Sequence, residues 1–383
     1  MGYYAVVGQY WGLGRNAGPV LRGIYHFKTA NKIQVDGMAT VKGYGHGVVA
    51  SDEEVLGSSE ALAAHTTDTT VFDHCDKYFA FNQSHERALL KAFPKAFGRV
   101  TVTGSPRGDL LRAVIYERPQ ERPYVLLNTS FGLINSMWGD LDKAVGVYAT
   151  GMSWDLSRPD DAAVMKARVE YEIKALSETK ALLAWLATQE KYDVVIRPHP
   201  TEKAELWQDL ARGHVHVRVV TASDPFQWTK HAALMVHSDS TLGVEVTLFE
   251  TPTLNLSPLD EWARRLITRD INFTARSLEE ARDPISLLLA DRRGPLAAPF
   301  AANVFPPNSA ETTASELSKL LPKPARLSGM PWAKVERHEK ERAKFTVSAD
   351  EFRAAIARVF PIAGNPPAEV LDLDDSVVLI LPS

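Results

Sequence analysis

Residues 192–200 read Tyr-Asp-Val-Val-Ile-Arg-Pro-His-Pro, and this stretch decides the fold class. Its apolar run predicts a strand buried on both faces, which is typical of a parallel sheet. The run ends directly in Arg197, Pro198 and His199, so a stiffened backbone carries two phosphate-binding side chains at the strand end. Because ligands of open α/β sheets bind at the carboxyl ends of the strands, we expect an anion site here. The alternative is a proline-stiffened turn with Arg197 in a salt bridge.

On both sides of this stretch, short apolar runs alternate with helical patterns, and this alternation is typical of parallel α/β sheets. The predicted strands before it are 2–8, 47–50, 77–81, 100–103 and 124–127, followed by a long helix at 162–189. The predicted elements after it are helix 202–212, strand 215–220, helix 225–230, strand 233–237, helix 241–249 and strand 252–256. The sequence therefore predicts an α/β protein.

A second candidate site follows the predicted strand 233–237, where the sequence reads Ser238-Asp239-Ser240-Thr241. Hydroxyl groups and backbone N–H groups at a helix start form an anion site, so Ser238, Ser240 and Thr241 are candidate phosphate ligands. Glu245 lies one turn into that helix, where its carboxylate can accept hydrogen bonds from ribose hydroxyls. The alternative is N-capping by Ser238, Asp239 or Ser240. Asp239 is unfavourable beside a phosphate unless it points away.

Composition limits the classes of function. The chain has 383 residues, a formal net charge of −4 and a pI near 6.3, which argue for two domains and against a nucleic-acid-binding surface. Its one cysteine, Cys75, excludes intramolecular disulfides and cysteine-rich metal sites. The sequence has neither a run of eighteen apolar residues nor the pattern of a secretory signal, so we expect a cytoplasmic protein.

The two candidate sites together resemble the nucleotide-binding domain of GT-B glycosyltransferases. Further motifs in the first half occur in a fixed order: Gly23–Lys28, Val48–Glu54, Thr103–Leu111 and Asn128–Gly132 with Asn135. This succession resembles the bacterial surface carbohydrate biosynthesis proteins, which include the retaining β-Kdo transferases of lipopolysaccharide and capsule assembly. Val55 and Ser136 depart from the family pattern, which has Gly and His there.

The resemblance implies two Rossmann-like domains that face a central cleft, the GT-B architecture. We predict an N-terminal acceptor and catalytic domain at 1–160, a nucleotide-sugar-binding domain at 161–325, and a C-terminal extension at 326–383. It also implies transfer of Kdo, or a related ulosonic acid, from a CMP-activated donor to a glycan or glycolipid acceptor. The setting would be the cytoplasm or the inner face of the membrane, as a peripheral protein or within a biosynthetic complex.

Roles follow for individual residues. Asp109 is the predicted nucleophile of a double displacement; its alternative role is to cap a helix that begins at Leu110. Arg107 would hold the carboxylate of the donor sugar, or else pair with Asp109. Glu53 and Glu54 are the candidates for the acid/base that activates the acceptor hydroxyl. Arg197, His199 and the hydroxyl turn would hold the nucleotide.

We expect no metal cofactor, because a CMP donor leaves as a monophosphate. Asp140-Leu141-Asp142 is expected to cap a helix, and Asp372-Leu373-Asp374 lies outside the family stretch. Two alternatives stay open: another nucleotide-dependent transferase on the same scaffold, for a sialic acid or a glycerophosphate, and a catalytically degenerate module that only binds nucleotide.

Overall fold

The structure is a computed structural model that describes residues 5–8, 23–53, 67–152, 154–221, 224–259, 268–291, 304–320, 348–355, 369–374 and 377–381. Its strands are β1 (Ala5–Gly8), β2 (Ile24–Phe27), β3 (Gly47–Ala50), β4 (Lys77–Ala80), β5 (Val100–Val102), β6 (Tyr124–Asn128), β7 (Asp193–Arg197), β8 (Val217–Val219), β9 (Leu234–His237), β10 (Thr253–Leu256), β11 (Phe273–Ala275), β12 (Glu369–Asp374) and β13 (Val377–Leu381).

The helices alternate with these strands over most of the chain. They are α1 (Lys32–Gly43), α2 (Val71–His74), α3 (Gln83–Ala92), α4 (Pro106–Ala113), α5 (Leu141–Met152), α6 (Pro159–Leu186), α7 (Glu205–Ala211), α8 (Pro225–His231), α9 (Leu242–Glu245), α10 (Thr268–Ile271), α11 (Leu278–Asp291) and α12 (Ser309–Leu320).

The larger sheet is parallel and has the order β11-β10-β9-β6-β7-β8. Counted along the chain, this is the 3-2-1-4-5-6 order of the doubly wound Rossmann fold. Its central strands are buried on both faces: Leu127 and Ile196 pack in one apolar cluster, and Leu126 and Val195 pack in another. The run at 194–196 therefore forms the predicted buried parallel strand.

The smaller sheet is also parallel, with the order β2-β3-β4-β5, and α1, α2 and α3 supply residues of its core. The predicted fold class, α/β with two Rossmann-like domains, is confirmed. Asp140 caps α5 as predicted, since its carboxylate accepts from Lys143 N at 3.0 Å, and the Asp224 carboxylate caps α8 by accepting from Phe226 N at 2.9 Å.

Two strands belong to sheets other than those expected. β6 lies at the centre of the six-stranded sheet between β7 and β9, so the chain changes sheet before residue 124, well before the predicted boundary at 160. The apolar run Tyr124–Leu127 suits either sheet, and the sequence order alone assigned it to the first half. β1 pairs antiparallel with β13, which itself pairs with β12, so the N-terminal strand joins the C-terminal extension.

The two parallel sheets are joined by packing around α4. Phe81, directly after β4, shares an apolar cluster with Val244 and Phe305. A Cβ at Gly108 would lie 2.7 Å from the Phe305 ring, and so only glycine allows α4 to approach this closely. This packing brings the loop after β5 against the second sheet.

Candidate functional site

The candidate site lies at the topological switch point of the larger sheet, between the carboxyl ends of β6 and β9. A small cavity opens there, and its lining comes from the two strand ends and the long helix: Leu127, Asn128, Thr129, Phe131, Thr179, Val236, His237 and Ser238. Doubly wound sheets bind their ligands at this point, because the loops after neighbouring strands diverge there.

The Arg-Pro-His-Pro loop begins beside the end of β6, whose Asn128 lines this cavity. Arg197 is the last residue of β7, and its Nη1 lies 3.5 Å from the Asn128 side-chain oxygen at the end of β6. Burial lowers the pKa of the Arg197 guanidinium, which nevertheless stays cationic at neutral pH. His199 is exposed, and its Nδ1 contacts Thr201 Oγ1 at 2.7 Å and accepts from Thr201 N at 3.3 Å. A cation and an imidazole therefore stand at one strand end, as predicted.

Sequence reasoning missed the residue that holds this loop. Glu202 was expected to begin helix 202–212, but the helix begins at Glu205, and the buried Glu202 carboxylate instead accepts four hydrogen bonds. The donors are Thr129 Oγ1 at 2.7 Å, His199 N at 3.0 Å, Trp207 Nε1 at 3.0 Å and Asn135 Nδ2 at 3.4 Å. Burial of a carboxylate costs little free energy only when donors of this kind surround it. Because the donors come from the loop after β6 and the loop after β7, Glu202 links these two loops into one unit.

The Asn-Thr-Ser-Phe-Gly element belongs to the same unit. A Cβ at Gly132 would lie 2.3 Å from Thr201 Oγ1, the hydroxyl that contacts His199. Leu133 N donates to the buried Glu172 carboxylate at 2.9 Å, and Glu172 is paired with Arg168 at 3.1 Å. Two buried carboxylates, one on each side, therefore fix this element, and its glycine leaves room for the loop that carries His199.

The Ser238–Thr241 turn differs from the expected anion site. His237 Nδ1 accepts from Ser240 N at 3.1 Å, and Ser240 Oγ accepts from Leu242 N at 3.3 Å. Gly243 N bonds Ser240 O at 2.9 Å, and α9 has only four residues. The N–H groups of Ser240, Leu242 and Gly243 are used within the protein, as in the capping alternative, so the Ser238 and Thr241 hydroxyls are the candidate ligand contacts of this turn.

Two further contacts define that turn. Burial lowers the pKa of His237, whose Nε2 faces the Asn272 side-chain oxygen at 2.9 Å, so the neutral ring is favoured. Asp239 has φ 46°, and its carboxylate is turned inward, where it accepts from Thr268 Oγ1 at 2.8 Å and from Asn255 and Ser257. Asp239 thus points away from the cavity, which removes the expected conflict with a phosphate.

Arg107 brings three separated motifs together. Its Nε lies 2.6 Å from Glu245 Oε1, and its Nη1 lies 3.8 Å from Glu53 Oε2. Its guanidinium carbon also lies 5.4 Å from the centre of the Phe226 ring. Glu53 follows β3 and Glu245 follows β9, so the carboxyl ends of the two sheets meet at this cation. Arg107 does not pair with Asp109.

Asp109 lies in the first turn of α4, so the helix does not begin at Leu110. Its Oδ2 accepts from Ala310 N at 2.8 Å, in the first turn of α12, and its Oδ1 lies 3.3 Å from Arg112 Nη1. The structure therefore places the Asp109 carboxylate in a contact between helices rather than with Arg107. Glu54 lies outside the described residues.

Among the described residues, no three His, Cys, Asp or Glu side chains are grouped so as to hold a metal ion. Within the same ranges, no helix has the length and apolar character needed to cross a membrane.

The sequence matches no protein-family model and no curated protein. Solved structures are similar in fold. One is the Methanocaldococcus jannaschii UDP-GlcNAc 2-epimerase in complex with UDP-GlcNAc and UDP, at 12% identity over 81% of this chain and 78% of that chain, with a TM-score of 0.50. Another is a co-structure of S. aureus MnaA with UDP, at 12% identity over 77% of this chain and 73% of that chain, with a TM-score of 0.51. At these identities the likeness establishes the two-domain fold alone.

Proposed function

We propose that the protein is a glycosyltransferase that moves Kdo, or a related ulosonic acid, from a CMP-activated donor to a surface glycan or glycolipid acceptor. The observation that carries the proposal is the meeting of Glu53, Arg107 and Glu245 where the two sheets face each other. A transferase needs donor and acceptor groups from opposite sides of one cleft, and these side chains come from both sheets.

The nucleotide would bind at the switch point of the six-stranded sheet. Arg197 and His199 would bind the single phosphate of CMP, with the Ser238 and Thr241 hydroxyls completing its contacts and Ser240 shaping the turn. Glu245 would accept from the ribose hydroxyls. The loop unit around Glu202 supports this role, because the Glu202 carboxylate accepts from the His199 backbone N–H at 3.0 Å and so fixes the loop that carries His199.

The sugar would lie toward Arg107, whose guanidinium suits the carboxylate of an ulosonic acid. In the proposed double displacement, a carboxylate attacks the anomeric carbon and CMP departs with the bonding electrons. The acceptor hydroxyl, which gives its proton to Glu53 or Glu54, then displaces the carboxylate. Asp109 is the proposed nucleophile, and to act it would have to exchange its contact with Ala310 N for the anomeric carbon.

No metal is needed in this scheme, because Arg197 and His199 would bind the leaving monophosphate. We place the reaction in the cytoplasm or at the inner face of the membrane, where glycan acceptors of this kind are assembled.

The test is incubation with CMP-Kdo, followed by measurement of CMP release and of the intact protein mass. We expect CMP release and a covalent Kdo adduct, both lost in Asp109→Asn and both retained in chelator. Asp209→Asn is the matched control, because Asp209 is exposed and pairs with Arg212 at the end of the same helix. Turnover that is lost in chelator would contradict metal independence. An adduct on another carboxylate would show that a residue other than Asp109 is the nucleophile.

A UDP-sugar reaction is the second candidate, because the two similar structures contain UDP or UDP-GlcNAc. Thermal unfolding with CMP, UDP and CDP-glycerol separates the candidates, since a ligand stabilises the protein that binds it. Stabilisation by CMP favours a Kdo or sialic acid transferase, whereas stabilisation by CDP-glycerol favours a glycerophosphate transferase. Tight CMP binding without turnover would indicate a degenerate binding module.

A further inference from the structure

Arg107 stands between the group proposed to bind ribose and the group proposed to act on the acceptor. Its shortest contact is with Glu245, at 2.6 Å, and the Glu245 side chain is only 5% exposed. Its contact with Glu53 is longer, at 3.8 Å, and the Arg107 side chain is 38% exposed. The guanidinium is therefore fixed at Nε by a buried carboxylate, whereas its Nη1 side is more loosely held and accessible to solvent.

A carboxylate as buried as Glu245 requires a hydrogen-bond donor or a cation at all times. In the structure, Arg107 Nε is such a cation, 2.6 Å from Glu245 Oε1. Vicinal ribose hydroxyls supply two neutral donors, one for each carboxylate oxygen, so one of them would compete with Arg107 Nε for Glu245 Oε1. A ribose on Glu245 and the present Arg107 contact therefore compete for one oxygen atom.

We propose that Arg107 is exchanged during donor binding: the ribose takes Glu245, and the released guanidinium pairs with the carboxylate of the donor sugar. This inference rests on the proposed function. Phe226, 5.4 Å from the guanidinium carbon, offers a ring face along which the cation can shift without losing its packing.

The exchange makes Arg107 a specificity-determining residue. A nucleotide without an acidic sugar displaces Arg107 from Glu245 and leaves the cation without a new anionic partner. A donor with a sugar carboxylate restores a charge-assisted pair. The wild-type protein should thus favour the acidic donor over the bare nucleotide, although both present the same ribose.

The test compares calorimetric titrations of CMP and CMP-Kdo in wild type, Arg107→Met and Arg107→Lys. Met keeps the length and the packing against Phe226 but removes the competitor for Glu245. We expect Arg107→Met to bind CMP about tenfold more tightly than wild type, as expected for one charge-assisted competitor removed, and CMP-Kdo about as tightly as wild type, because the lost carboxylate pair offsets the same gain. Arg107→Lys keeps the charge and should retain the preference for CMP-Kdo, even if the Met variant folds poorly.

Equal losses of affinity for CMP and CMP-Kdo in Arg107→Met would overturn the exchange, because they would show that Arg107 keeps one contact throughout or only stabilises the fold. A wild-type protein that binds neither CMP nor CMP-Kdo would instead refute the proposed function, and the exchange with it. The two failures are therefore distinguishable from the wild-type titration alone.

Discussion

Replacing Glu202 tests whether the loop that carries His199 is held in place before ligand binds. Glu202→Ala removes the acceptor of the Thr129 hydroxyl, the His199 N–H and the Trp207 indole N–H, which lie 2.7, 3.0 and 3.0 Å away. Each buried donor left unsatisfied costs about 1–3 kcal/mol. Water that enters the space left by the side chain recovers part of this, so we expect a total loss of about 3 kcal/mol.

Glu202→Gln provides the graded comparison. Its amide oxygen keeps an acceptor for Thr129 and His199, while its NH2 group turns toward the Trp207 indole N–H, which is also a donor. We expect about 1–2 kcal/mol of destabilisation, from one lost bond rather than three. Because the loop then keeps its anchor at the His199 N–H, CMP affinity should fall less in the Gln variant than in the Ala variant.

The assay is urea unfolding followed by tryptophan fluorescence, with CMP titrations on the same proteins. Trp207 is fully buried and bonded to Glu202, and it is one of the eight tryptophans whose emission follows the unfolding transition. Glu205→Ala is the matched control, since Glu205 is exposed in the first turn of the same helix. A loss below about 1 kcal/mol in Glu202→Ala would refute the claim that this carboxylate holds the two loops together.

Further predictions concern single contacts. Gly132→Ala should reduce the free energy of CMP binding more than the free energy of unfolding, because its Cβ would lie 2.3 Å from the Thr201 hydroxyl that contacts His199. Calorimetric titration with CMP measures the first quantity, and urea unfolding measures the second. Burial lowers the pKa of His85 from 6.5 to about 4, so the titration of His85 has little effect on stability well above pH 6.5, where both folded and unfolded states are neutral. Below that pH the unfolded state binds the proton first, and stability should fall by about 1.4 kcal/mol per pH unit toward pH 4. Between pH 7 and pH 5, the free energy of unfolding measured in urea should therefore fall by about 2 kcal/mol less in His85→Asn than in wild type. An equal fall in both proteins would contradict the lowered pKa of His85.

The sequence predicted the parts of the fold that depend on local pattern. The apolar run at 194–196 and the polar residues after it located a central strand and its site-bearing end. The pattern could not tell which sheet an apolar strand joins, because Tyr124–Leu127 would be buried in either one. The partner of β1 lies more than 350 residues along the chain, at β13, and no local signal reports so distant a pairing.

The candidate site was predicted in its residue types but not in its contacts. Arg197, His199 and Glu245 stand at the expected strand ends, whereas Asp109 contacts α12 and the N–H groups near Ser240 are used internally. Glu202 was missed because its role comes from four donors in separate segments, and its sequence position also fits the start of a helix. The motif order brought Arg107 and Glu245 into one site, but only the folded chain shows that they touch.

The central claim is that a CMP-activated sugar acid binds where the two sheets meet, and a crystal structure with CMP tests it most directly. The account predicts the phosphate within hydrogen-bond distance of Arg197 and His199, the ribose hydroxyls on Glu245, and Arg107 displaced from that carboxylate. CMP bound elsewhere, such as in the apolar cavity beside Trp185 and Ile285 at the opposite end of the strands, would contradict it.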